Sequence, residues 1–182
     1  VTSHLLGGFT TFCLLLLLYL RLMNKPQIYR RRQGPLPIAL AAAALIVTIF
    51  QILLGGWTSS NYAAMACPHL PFCPMSGVSL NDFAEGFNIF QQVGPNYLGG
   101  LLDGAARIAI HSSHRIGAVV VIIIGAILVA KLYASQFKFL AYSLVLLLIV
   151  QVGLGLSNIY YHLGLSYYLK QDWENALAAF KA

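Results

Sequence analysis

Three histidines and an arginine stand within long apolar runs of this sequence: His4, His111, His114 and Arg115. An ionisable group in such a run is costly to place, which points to ligation, proton movement or a satisfied polar contact. His111 and His114 are three residues apart, so on a helix both project from one face within about a turn. A neutral imidazole is a common axial ligand for haem iron, and a neighbouring arginine can hold a propionate carboxylate in a charge-assisted, bidentate pair. Arg107 and Arg115 are the candidates for that pairing. The same residues admit two other readings, a proton-relay or transport site and a structural polar cluster. Taken alone, His4 fits a satisfied interhelical hydrogen bonder as well as a ligand.

Cys67 and Cys73 form a second candidate pair, in the run CysProHisLeuProPheCysPro. Prolines stiffen the turn between them, and a disulfide closing a loop of this size constrains the unfolded chain by roughly 2 to 3 kcal/mol. A structural disulfide, a redox-active pair and a metal site are all open readings, although with His69 the pair supplies only three metal ligands. Cys13, among leucines, reads as inert packing.

The elements that must carry these residues follow from composition. Of 182 residues, 59% are hydrophobic and only 9% charged, against about 25% charge in soluble domains. That excludes a water-solvated globule and a disordered chain. The ionised side chains gather between apolar runs of about the 20 residues that cross a bilayer. Spans are expected from Val1 to about Leu20, Leu36 to Leu54, Ile108 to Ala130 and Phe139 to Ile159, each helical because lipid offers backbone groups no partner. The fold class expected is an all-α integral membrane protein, a four-transmembrane-helix bundle with a short helical tail. No Met and no charged segment precede the first span, which does not resemble a signal peptide, so the chain reads as truncated at its start.

Arg21, Lys25, Arg30, Arg31 and Arg32 lie between the first two spans, and Lys131 and Lys138 between the last two, while Trp57 to Ala106 holds no Lys or Arg. The positive-inside rule places the two short loops in the cytoplasm and the long loop, 57–107, outside a multi-pass plasma-membrane protein. There an oxidising compartment favours thiol pairing. The net charge of +6 thus reads as topology, with lipid and not nucleic acid as the partner. Pro68, Pro71, Pro74 and Pro95 make the long loop irregular, with a short helix around Asp82 to Gln92. Gly55, Gly56, Gly153 and Gly155 read as close-packing positions. An internal echo aligns IlePheGlnIleLeuLeuGly at 49–55 with IleValGlnValGlyLeuGly at 149–155, pairing Gln51 with Gln151.

Three runs carry a family resemblance: Gln51 to Pro68, AspPheAlaGluGlyPheAsn at 82–88, and IleHisSerSerHisArgIleGlyAla at 110–118. Together with ThrSerHisLeuLeuGlyGlyPhe at 2–9, they resemble the carboxyl-terminal half of bacterial haem A synthase over residues 1 to about 158. The resemblance implies two similar four-helix bundles in an oxidoreductase that converts a methyl group of haem O to the formyl group of haem A for cytochrome oxidase. It implies haem b as cofactor and haem O as substrate, with haem O synthase or cytochrome oxidase assembly factors as partners; a homo-oligomer is a further expectation. By this resemblance His114 is the axial ligand of haem b, with His111 the alternative in the same helix, and His4 a ligand in the substrate-binding bundle. Cys67 and Cys73 match the family's outer-loop pair. Glu85 does not inherit the carboxylate role found in the other half.

The departures lie at the ends. The family's first three helices, and an eighth helix bearing the opposite axial histidine, have no counterpart here, so the sequence reads as a fragment, inactive alone, whose iron would be five-coordinate or recruit His111 or His162. Instead TyrTyrHisLeuGlyLeuSerTyr at 160–167 and AlaLeuAlaAlaPhe at 176–180 fit a tetratricopeptide pattern. The expected organisation is therefore 1–35 from the preceding half, 36–158 as the haem-binding bundle, and 159–182 as a tetratricopeptide-like junction. Two other functions are weighed: a membrane b-type cytochrome transferring electrons, and a thiol oxidoreductase using Cys67 and Cys73, which lacks the usual second pair.

Overall fold

The computed structural model describes residues 2–22, 35–67, 73–90 and 102–169, with residues 175, 178 and 181 beyond them. Every regular element among these is helical: α1 (Thr2–Leu22), α2 (Ile38–Ser60), a 3-10 turn (Ala63–Ala66), α3 (Leu80–Gly86), α4 (Gly104–Ala134) and α5 (Lys138–Leu169). The basic residues Lys25 and Arg30 to Arg32, together with His69, Pro71 and Pro95, lie outside the described residues, as does most of the 176–180 motif.

Among the described residues three helices are long and apolar enough to cross a membrane: α2, α4 and the stretch Lys138–Leu165 of α5. The apolar part of α1 is shorter, Ser3–Tyr19. Large apolar side chains such as Leu14, Phe50, Ile123 and Leu147 are exposed along these helices, the surface that lipid would cover. Helix α4 is central, packing on α2, α3, α5 and the 3-10 turn, whereas α1, among the described elements, touches only α2. Helix α4, 31 residues long, extends about 46 Å at 1.5 Å each, longer than the roughly 30 Å of hydrocarbon in a bilayer, and carries Arg107 in its first turn.

The helices run longer than their hydropathy suggests. Helix α2 continues through Gly55 and Gly56 to Ser60, ending where Tyr62 turns left-handed at φ 54°. Helix α4 begins at Asp103, whose carboxylate accepts from the Ala106 amide over 2.8 Å, an N-cap that an apolar count does not detect. Helix α3 covers only Leu80–Gly86, shorter than the expected 82–92, and opens on a reciprocal cap between Ser79 and Asp82. The α4–α5 turn closes with Phe137 N–H donating to Leu132 O and Gln136 N–H to Tyr133 O, Gln136 being left-handed at φ 66°. The boundary expected at 158/159 falls inside α5, which passes through it unbroken.

Two small cores hold the bundle. At the end carrying the long loop, Ala63, Leu102, Ala106 and Ile110 pack with Trp57. At the other end Leu128, Leu132 and Ala141 pack with Leu40, Ala41, Ala44 and Leu144. The long loop is anchored to the first core by α3: Trp57 Nε1–H donates to Gly86 O over 2.8 Å. Gly86 allows this close seat, since a Cβ there would stand 2.9 Å from Ala106 O.

Candidate haem-binding site

Residues of α4, α2 and the 3-10 turn meet at the loop-bearing end of the bundle. His111, 5% exposed, uses both ring nitrogens. Its Nδ1 lies 2.8 Å from Ala63 O, and its Nε2 accepts from Arg115 Nε–H over 3.2 Å. A carbonyl can only accept, so Nδ1 carries the proton and Nε2 the lone pair. Arg115 also donates from Nη2 to Cys67 O over 2.8 Å. His111 and Arg115 thus bridge α4 to the turn that leads into the long loop.

His114 is different. Gln51 Nε2 reaches its Nδ1 over 3.0 Å and its carbonyl oxygen over 2.9 Å, while His114 Nε2 has no hydrogen-bond partner among the described residues. Gly55 lies against the ring: a Cβ there would stand 3.1 Å from His114 Cε1. Gly117 lies against Gln51, whose Oε1 occupies the space a Cβ would need. That Oε1 is buried without a hydrogen-bond partner. An unengaged Nε2, an orphaned amide oxygen able to accept from Nδ1–H and two glycines that clear space fit an axial haem ligand once the ring proton sits on Nδ1.

Cys67 and Cys73 are both buried and joined by a disulfide, their Cα atoms 5.4 Å apart. The bond removes both thiolates from metal ligation, and among the described residues no three of His, Cys, Asp and Glu gather to hold a metal ion. Met75 follows the disulfide and accepts from Ser112 Oγ–H over 3.2 Å, a second tie between loop and α4.

The family model for cytochrome oxidase assembly proteins, COX15-CtaA, matches residues 1–169. The chain belongs to that family. Within it, a haem A synthase from Shewanella oneidensis is 46% identical over 166 residues, covering 91% of this chain and 50% of that protein. The chain therefore spans about half the length of this curated relative. No solved structure matches the chain.

Among the residues singled out in sequence, His111, Arg115 and Cys67 come together in this cytochrome oxidase assembly family member, while His114, on the same helix, is held by Gln51. Arg107 is half-buried one helical turn before His111 on α4. His4 is exposed on α1 and does not join them, and the side chain of His162 lies outside the described residues. Cys13 is free and exposed on α1, not packed inside. Gly153 and Gly155 meet nothing within 4 Å, whereas Gly55 lies against the His114 ring and Gly56 is buried, so of the expected close-packing glycines those on α2 serve that purpose. Sequence alone assigns Gln51 no role as a ligand partner, placing it in the echo with Gln151 and at the head of the run from Gln51 to Pro68. The echo does not extend to environment, because Gln151 is exposed on α5. The signal that could have found Gln51 was its polarity within an apolar span.

Proposed function

We propose that His114 is an axial ligand of haem b and that the chain forms the haem-b half of a haem A synthase, which oxidises a methyl group of haem O to a formyl group for cytochrome oxidase. The observation that carries the assignment is the contrast between the two histidines. Both nitrogens of His111 are committed within the protein, whereas Nε2 of His114 is open. His111 then acts as a positioning residue, holding Arg115 and the Ala63 carbonyl in register. When bound, the haem supplies one-electron transfer to the oxidation. Arg107 and Arg115 supply positive charge for its propionates. His4, on a helix away from this cluster, belongs to the haem O side, with its partners on segments outside this half.

The proposed topology has four membrane-crossing helices in the plasma membrane, with α1 as the fourth and 57–107 extracytoplasmic. Partners are haem O as substrate, lipid, and haem O synthase or cytochrome oxidase assembly factors. Residues 159–182 are proposed as a junction. The test is haem content of purified protein. His114→Ala should lose the bound-haem absorption band and His111→Ala should keep it; parent-level haem in the His114 variant overturns the assignment.

A further inference from the structure

Gln51 presents two donors and one acceptor. Both donors are turned to His114, to the ring Nδ1 and to the backbone carbonyl, and the acceptor Oε1 is buried against Gly117 with nothing to accept from. An Nδ1 that accepts a hydrogen bond leaves the ring proton on Nε2, and a protonated Nε2 has no lone pair for iron. Metal-bound histidines do the reverse, donating from the other nitrogen to an acceptor that fixes the tautomer. The amide that holds His114 in this structure is therefore set the wrong way round for ligation, and the atom needed to correct it is the orphaned oxygen.

We propose that Gln51 is the positioning residue of His114, its side-chain amide turning over between an arrangement that donates to Nδ1 and one in which Oε1 accepts from Nδ1–H, only the second leaving Nε2 able to bind haem iron. This rests on His114 being the axial ligand. In the exchange one proton leaves Nε2 and one is taken up at Nδ1; the imidazole stays neutral and no electrons move. The turn gives Oε1 a donor in Nδ1–H and moves the amide nitrogen to the side of Gly117, so its bond to the His114 carbonyl is given up, while that carbonyl keeps its place in the helical ladder. Glycine at 117 is what lets either end of the amide occupy that side.

The experiment compares the parent chain, Gln51→Leu and Gln51→Glu, each titrated with ferric haem b and poised for midpoint potential. Gln51→Leu should bind haem 10- to 100-fold more weakly, about the loss that follows removal of a ligand's supporting partner. Its potential should rise, while Gln51→Glu, a stronger acceptor at Nδ1, should lower the potential. In haem-free protein carrying 15N-histidine, the ring shifts of His114 should place the proton on Nε2. Equal affinities and potentials in the three proteins overturn the proposal, as does a haem-free ring protonated at Nδ1. Should Gln51→Leu fail to fold, the glutamate variant and the ring shifts decide. His114→Ala run alongside separates the two readings: retained haem there defeats the ligand assignment, whereas lost haem with indifferent Gln51 variants defeats the Gln51 proposal alone.

Discussion

Arg115 donates from Nη2 to the carbonyl oxygen of Cys67 over 2.8 Å, joining the disulfide-closed loop to the residue that follows His114. The loop is thereby fastened to the helix that carries the candidate ligand, and loosening the loop should lower the stability of the fold around that helix.

Replacing Cys67 and Cys73 together by serine should therefore lower the melting temperature in detergent. A closed loop of this length is worth about 2 kcal/mol through the unfolded chain. The haem spectrum should be perturbed at most slightly. A double variant as stable as the parent yet inactive in the full-length enzyme would favour redox chemistry at the pair.

His111→Ala removes the group between Ala63 O and Arg115 Nε. Leaving buried polar atoms without a partner costs about 1–3 kcal/mol each, so thermal or denaturant unfolding should show a clear loss of stability. Haem binding, by contrast, should survive, and its complete loss would make His111 the ligand.

Gly55→Ala brings a methyl to 3.1 Å from His114 Cε1, and Gly117→Ala places one where Gln51 Oε1 stands. Inserting a methyl into so tight a contact costs about 1–3 kcal/mol. Both variants should shift the absorption maximum of bound haem, because each moves the ring or its support. Gly153→Ala, which meets nothing within 4 Å, is the control and should leave the spectrum at the parent position.

The Asp82 carboxylate is held below its ordinary value of 3.8, first by the Ser79 hydroxyl and then by the Ser79 backbone amide. A carboxylate with a lowered folded pKa stabilises the fold above its unfolded value and loses that contribution as pH falls through the folded one. Ser79→Ala should raise the Asp82 pKa, followed by carboxyl 13C shifts, and weaken α3 amide protection at neutral pH more than at pH 2. Identical titration in parent and variant would show that the cap does not set the pKa.

Topology is open to a labelling test. In a Cys13→Ser background, a cysteine at exposed Asn81 should react with an impermeant maleimide on intact cells. Reaction only after lysis would place the long loop in the cytoplasm and invert the bundle.

Apolar runs of membrane-crossing length had to become helices, because lipid gives a backbone no other partner, so α2, α4 and α5 were legible from composition alone. The spacing of His111, His114 and Arg115 likewise fixed their shared helix, and the proline-framed cysteines announced a closed turn. Hydropathy could not see the helix ends, since the Asp103 and Ser79 caps act through single hydrogen bonds.

Nor could sequence choose between the two histidines: they have the same chemistry and differ only in what faces them. Ala63 O and Arg115 come to His111, Gln51 and Gly55 to His114. Three of those four neighbours lie on α2 or the turn after it, about 50 residues or more away in the chain, and Arg115 takes part by reaching back one turn. Gln51 and Gln151 make the same point, alike in local sequence, yet one is half-buried and the other exposed. Local sequence determines that a residue is polar and helical; which nitrogen is spent and which stays open is decided only when a second helix packs against it.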